Sequence, residues 1–184
     1  MAVVIYEDSR QQEGKHDTKR QWFERHGIEV VRRKLDFGDY MTEGSNVSVD
    51  TKRGISEVAM DVGRDHDRFA REMERAREAG YRLVILVECG APYRSVDDVA
   101  HWTNKACRMC EHYKRLMCDP NAGGRCKRFK RKPMRGQTVA KTIKSMADGY
   151  GYIFEFVHPA HSAMRICELL GVEYDGHHQL QLLH

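Results

Sequence analysis

Asp39 and Asp50 lie equidistant from the Gly44-Ser45 dipeptide, with Lys52 two residues further on, so one hairpin can gather two carboxylates and an ammonium. A two-residue turn at Gly44-Ser45 predicts antiparallel strands over Phe37–Glu43 and Asn46–Lys52, with Asp39 directly opposite Asp50. Opposed Cβ atoms in such a pair lie about 5 Å apart, where two like charges are destabilising unless something positive sits between them. Side-chain alternation puts Lys52 on the face of Asp50, and a divalent cation is the natural occupant of the space. The other face supports this register. Val47, Val49 and Thr51 alternate with Ser48, Asp50 and Lys52, and a slip of one residue buries both Asp50 and Lys52. A second Asp-x-Lys, Asp17-Thr18-Lys19, opens a predicted helix and reads as cap and solvated surface. The hairpin context carries the inference, not the tripeptide.

Around the hairpin, strand and helix patterns alternate. Ala2–Tyr6 reads as a short buried strand, Asp17–Arg25 as an amphipathic helix ended by Gly27, and Ile28–Leu35 as a second strand. After the hairpin, Arg53–Arg64 reads as a loop, and Asp65 is placed to cap a helix over His66–Ala79 that buries Phe69, Met73 and Ala76. Arg82–Glu88 is a strongly apolar central strand. Thr138–Asp148, Tyr152–Val157 and Ser162–Leu170 complete the pattern as helix, strand and helix. The order predicts an α/β domain with a mixed sheet, antiparallel at the hairpin and parallel at the crossovers.

At 184 residues the chain suits one α/β domain with a modest insertion, the expectation being a single domain over 1–184 with the insertion at 101–135. The longest apolar run, Leu83–Val87, is strand-sized, and no signal peptide is read, which predicts a soluble, cytoplasmic protein with no membrane partner. The net charge of +4 is unevenly placed: from His101 to Arg135 eleven Lys or Arg stand against Glu111 and Asp119, giving +9 there and −5 elsewhere. A concentrated basic block on an acidic domain points to a polyanion, most plausibly nucleic acid; the alternative is a solvated charged loop.

Two carboxylates on adjacent strands with a nearby lysine are what metal-assisted phosphodiester cleavage needs. Asp39 and Asp50 would hold Mg²⁺ or Mn²⁺ through oxygen, and Lys52 would orient or help deprotonate the nucleophile. The element order with this triad resembles the PD-(D/E)xK nuclease superfamily, whose fold is a restriction-endonuclease-like mixed central sheet flanked by helices. Within it, Gly38-Asp39-Tyr40 and Val49-Asp50-Thr51-Lys52 resemble the nuclease domain of the XPF family of structure-specific DNA endonucleases. Asp8-Ser9-Arg10 resembles that family's Asp-x-Arg, and Arg64-Asp65-His66-Asp67-Arg68-Phe69 resembles its Arg-Phe approach to the following helix. The match runs over about 3–88 and 136–170. It implies catalytic roles for Asp8, Asp39, Asp50 and Lys52, with Arg10, Arg64 and Arg68 on nucleic acid.

The pattern departs from the family in three places. The family's Glu-Arg-Lys is Asp50-Thr51-Lys52 here; its next acid falls on Ser56, with Glu57 one position late and assigned to the site from a bulge or loop; and no tandem helix-hairpin-helix module is read after Leu170. The resemblance implies DNA as partner, branched or partly single-stranded, and leaves a homodimer open. Beside Asp8, Glu7 must point to the opposite side of its strand. Arg10 is equally suited to holding a phosphate or pairing with Asp8.

Cys107, Cys110, Cys118 and Cys126 give C-x-x-C and two seven-residue gaps inside a segment poor in apolar residues. Such a segment cannot form its own core. Four thiolates on Zn²⁺ would supply the missing folding energy, an iron–sulfur cluster or unligated thiols being the alternatives, and Asn121-Ala122-Gly123-Gly124 offers the turn that returns Cys126. Lys127, Arg128, Lys130, Arg131 and Lys132 would grip phosphates. Tyr113 and Phe129 are set either to stack on bases or to pack around the metal. Cys89 and Cys167 read as buried, inert thiols. The expectation is a metal-dependent DNA endonuclease acting on branched or single-strand-containing DNA. The rival is a non-catalytic nucleic-acid-binding module with a degenerate nuclease core.

Overall fold

The structure is a computed structural model that describes residues 4–11, 14 and 16–174. Ala2 and Val3 of the expected opening strand, and the C-terminal histidines, lie outside the described residues. The elements are β1 (Val4–Asp8), α1 (Asp17–Arg25), β2 (Glu29–Arg33), β3 (Tyr40–Thr42), β4 (Val47–Lys52), α2 (Ile55–Asp61), α3 (His66–Glu78), β5 (Arg82–Glu88), α4 (Val96–Val99), α5 (Lys105–Arg108), α6 (Glu111–Lys114), α7 (Gly136–Tyr150), β6 (Ile153–Val157) and α8 (Ser162–Leu170).

Six strands form one mixed sheet in the order β2-β1-β3-β4-β5-β6. The β1–β2, β4–β5 and β5–β6 pairings are parallel, and β3 is antiparallel to both β1 and β4. The hairpin register is the predicted one, with Tyr40 opposite Val49 and Met41 opposite Ser48. Its first strand starts later than expected. Gly38 takes φ +68°, a Cβ there would run into the Ser48 hydroxyl and the Val49 carbonyl, and the Asp39 N–H donates to Val49 O at 2.8 Å. Only glycine tolerates that combination of positive φ and close approach.

β5 reads as an unbroken apolar run because both its faces are covered. Leu83, Ile85 and Val87 pack with α2, α3 and α7, while Leu86 joins Ile5, Phe23, Tyr40, Val49 and α8 on the opposite face. Helices therefore lie on both sides of the sheet.

The stretch expected to be a loop, Arg53–Arg64, instead contains α2. Ile55, Val58, Ala59 and Val62 recur at helical spacing and are 2–6 % exposed, so tertiary burial decides a segment too short and too closely bounded by Gly54 and Gly63 to read as a helix from pattern alone. Lys19 is a second correction. It is not solvated: its ammonium lies 2.6 Å from Glu88 Oε1 in a pair only 10 % exposed, because α1 lies on the sheet near the end of β5. Asp65 does stand at the start of α3, but its carboxylate meets Arg64 rather than a helix N–H. Among the described residues no helix is long and apolar enough to cross a membrane.

Candidate active site

β3 runs against β1 and β4, so its first residue lies beside the carboxyl ends of both neighbours. Crevices in α/β sheets open at such ends. Here a cleft of about 580 Å³ is lined by Asp8 from β1, Asp39 from the approach to β3, Asp50 and Lys52 from β4, and Arg68, Arg71, Glu72 and Arg75 from α3, together with Arg10, Gln11 and Asp36. Asp8, Asp39, Asp50, Lys52, Arg10 and Arg68 are all candidates from the sequence, and the fold brings them together.

Each side chain is held by specific neighbours. Asp39, 2 % exposed, accepts from the Thr51 N–H at 3.0 Å and from the Thr51 hydroxyl at 2.5 Å, and also from the Gln11 amide. Its carboxylate serves Thr51 as a strand carbonyl otherwise would. Thr51, next to Asp50 in β4, therefore helps to orient Asp39 together with Gln11. Asp8 accepts from the Leu35 N–H at 3.2 Å and from Arg10 Nε at 2.9 Å, while Arg10 also donates to Leu35 O at 2.6 Å. The Arg10 side chain remains 54 % exposed, so pairing with Asp8 leaves it available to a ligand. Glu7 turns away as expected, fully buried with Arg20 at 2.5 Å and Arg32 at 3.4 Å.

The Lys52 ammonium lies 2.9 Å from Asp50 and 3.1 Å from Asp61, all three side chains being 9–13 % exposed. Sequence reasoning misses Asp61 because it misses α2. The Oδ2 of Asp61 meets Lys52 as a close ion pair without hydrogen-bond geometry, and its Oδ1 lies 3.4 Å from Arg68. Burial pushes the Asp50 carboxyl up, and nearby Asp39 pushes it further, against the pull of Lys52, to about 7. Burial alone would lower Lys52, but Asp50 and Asp61 outweigh it and hold the amine protonated. Of the two roles expected for Lys52, orientation and charge neutralisation fit this state; taking a proton does not.

Glu57 stands apart from the cleft. Its Oε2 accepts from the Arg53 N–H at 2.7 Å at the start of α2. Arg64 is 81 % exposed beside Asp65. Arg71 and Arg75 are not among the sequence candidates, although their spacing from Arg68 puts all three on one side of α3, which is a legible signal.

The basic residues of the cysteine-rich segment do not line this cleft. Lys127, Lys130 and Arg131 are exposed. Arg128 donates to Met109 O at 3.3 Å and lies over the Phe129 ring, and Lys132 donates to Ala122 O at 2.5 Å. Tyr113 and Phe129 are half-buried. Cys107 and Cys110 are buried, Cys118 and Cys126 half-buried, and all remain unpaired thiols. Burial raises the Cys107 thiol, and Cys126, Cys118 and Cys110 raise it further. Cys167 is fully buried and pushed up to about 12, while half-buried Cys89 donates to Tyr93 O at 3.4 Å.

Among the described residues no three His, Cys, Asp or Glu side chains are grouped as a metal-binding set. The cleft does pair two oxygen donors, Asp39 and Asp50, that repel each other electrostatically. That donor set suits a hard cation such as Mg²⁺ or Mn²⁺, which typically takes one or two carboxylates and keeps several waters. No protein-family model matches the chain, and no curated protein matches its sequence.

Proposed function

We propose that the chain is a metal-dependent endodeoxyribonuclease with a restriction-endonuclease-like core, hydrolysing phosphodiester bonds in branched or single-strand-containing DNA. The observation that carries this reading is the convergence of Asp39, Asp50 and Lys52 from one hairpin in a cleft walled by Arg10, Arg68, Arg71 and Arg75.

In this reading Asp39 and Asp50 hold Mg²⁺ or Mn²⁺, which supplies Lewis acidity and a more acidic water. The chain's own groups do the rest. Arg68, Arg71 and Arg75 draw the phosphate backbone along α3, and Arg10, fixed by Asp8, clamps a phosphate at the opposite wall. Lys52 stays an ammonium between Asp50 and Asp61, where it orients the attacking water and offsets charge growing on the scissile phosphate. Thr51 fixes the Asp39 carboxylate. In-line displacement then leaves a 5′-phosphate and a 3′-hydroxyl.

The test is cleavage of end-labelled single-stranded, duplex, flap and forked DNA with Mg²⁺ or Mn²⁺, comparing wild type with Asp39→Asn and Asp50→Asn. Metal-dependent cutting lost in both variants is expected. DNA bound but uncut under every condition would replace this reading with that of a non-catalytic nucleic-acid-binding module.

A further inference from the structure

We propose that Cys107, Cys110, Cys118 and Cys126 bind one Zn²⁺ ion that holds the segment from His101 to Arg135 in shape, independently of whether the cleft cuts DNA. The first support is the absence of any other source of folding energy. Between Arg108 and Arg135 the only buried residues are Cys110 and Pro120, whereas Met109, Leu116 and Met117 are 55–92 % exposed. A stretch of this length with no apolar core does not hold a single conformation unless a cross-link or an ion stabilises it.

The second support is convergence. Arg128 reaches back to Met109 O, between the first two cysteines. The Met117 N–H donates to His112 O at 2.8 Å, bringing the chain before Cys118 against α6. Lys132 reaches Asp119 O and Ala122 O, drawing the turn after Cys118 toward the chain beyond Cys126. Three stretches, each carrying one or two cysteines, are thus tied together through backbone carbonyls; their sulfurs are not grouped as a ligand set, and the ion would draw them the rest of the way. One sulfur is also an acceptor: the Phe129 N–H donates to Cys126 Sγ at 3.3 Å.

A single redox-inert ion fits this setting better than an iron–sulfur cluster. The hydrophobic shell around a metal site governs its exposure to solvent, and this segment supplies almost none. Binding is redox-neutral: four S–H bonds release their protons to solvent, and four Zn–S bonds form. Arg128 and Lys132, which bond to the carbonyls of Met109, Asp119 and Ala122 in the same segment, are the cations that would offset the net negative charge of a zinc tetrathiolate.

The test is metal analysis of the full chain purified without added metal. The expected result is one zinc per chain in wild type, in Asp50→Asn and in Cys89→Ser, and at least a tenfold loss in Cys118→Ser and Cys126→Ser. Should those variants misfold, wild type titrated with a mercurial reports instead, releasing its zinc as four thiols are consumed. Replacement by Co²⁺ should give the visible bands of a tetrahedral cobalt thiolate. Iron with acid-labile sulfide would overturn zinc in favour of a cluster. No metal, with all four thiols open to reagent, would overturn the site itself. Because Asp50→Asn leaves these cysteines untouched, loss of cleavage and loss of zinc report on the two proposals separately.

Discussion

Asp50 and Lys52 hang from a strand in which Val49 is fully buried, beside a strand in which Leu86 is too, whereas the buried residue nearest in sequence to Cys118 and Cys126 is Pro120. Both regions gather groups that repel one another once charged. The cleft does so with a packed core behind it, and each fully buried aliphatic side chain there contributes about 1.5–3 kcal/mol. That surplus can carry desolvated carboxylates, a tightly crowded Gly38 and an ammonium shared between two acids. The cysteine-rich segment has no such reserve.

The largest effect expected from this contrast is chemical. Asp39→Asn and Asp50→Asn should each lower cleavage on the order of 10²–10³-fold, as removing one electrostatic element of an active site does. Neither substitution should lower the melting temperature by an amount that accounts for that loss, since each replaces a desolvated carboxylate by a neutral amide of the same shape. A fall in cleavage that tracked unfolding would show that these residues serve the fold.

Lys52→Met should lower stability as well as cleavage. It leaves Asp50 and Asp61 facing each other in a setting 9–13 % exposed. Breaking a buried pair by removing one partner costs about 3–5 kcal/mol, so thermal unfolding should move down by roughly 10 °C. An unchanged melting temperature would mean the pair is solvated and the core bears no such load. Asp61→Asn added to Lys52→Met should restore part of the loss.

How much of this is legible in the sequence obeys the same division. The register of the hairpin comes from a period-2 pattern anchored by a turn, so Asp39, Asp50 and Lys52 can be placed together before any coordinates. Asp61 cannot, because α2 has only seven residues and its helicity is decided by burial of Ile55 and Val58 against the core. Glu57 illustrates the converse. Counting along an expected loop puts it at the site, but helical geometry turns its carboxylate back to the Arg53 N–H. The part played by Thr51 is also hidden, since strand alternation assigns it to the apolar face while its hydroxyl and N–H meet Asp39. Local periodicity reveals which elements exist; it does not reveal which polar atoms lie at their ends.

A smaller effect comes from pH. With its carboxyl at about 7 in the fold, raised by burial and by Asp39, Asp50 holds a proton that the unfolded chain releases near the ordinary value of about 4. Between those values the native state binds more protons, so stability falls as pH rises. The contribution is complete below about pH 4 and is lost as pH passes about 7. Asp50→Asn, neutral throughout, should match wild type at low pH and exceed it by a margin that grows as pH rises toward 8, read from urea midpoints without divalent cation. A difference that stays constant with pH would mean that Lys52 fully compensates Asp50.

The smallest effects separate the cations of the two regions. Arg68, Arg71 and Arg75 span about 10 Å of one side of α3 at 1.5 Å per residue, and they line the cleft that also holds Lys52. Lys130 and Arg131 are exposed on a segment outside it. If both sets touch phosphates, each removal should weaken DNA binding by roughly fivefold, about 1 kcal/mol, and lower the salt dependence by nearly one counterion. The two sets should differ in the chemical step. Arg71→Ala and Arg75→Ala should also slow cleavage of DNA that is already bound, because a strand held loosely along α3 is misplaced over Asp50. Lys130→Ala and Arg131→Ala should leave that single-turnover rate intact. Equal slowing by both pairs would place the basic segment over the scissile phosphate. A salt dependence unchanged by all four substitutions would remove both surfaces from the DNA path.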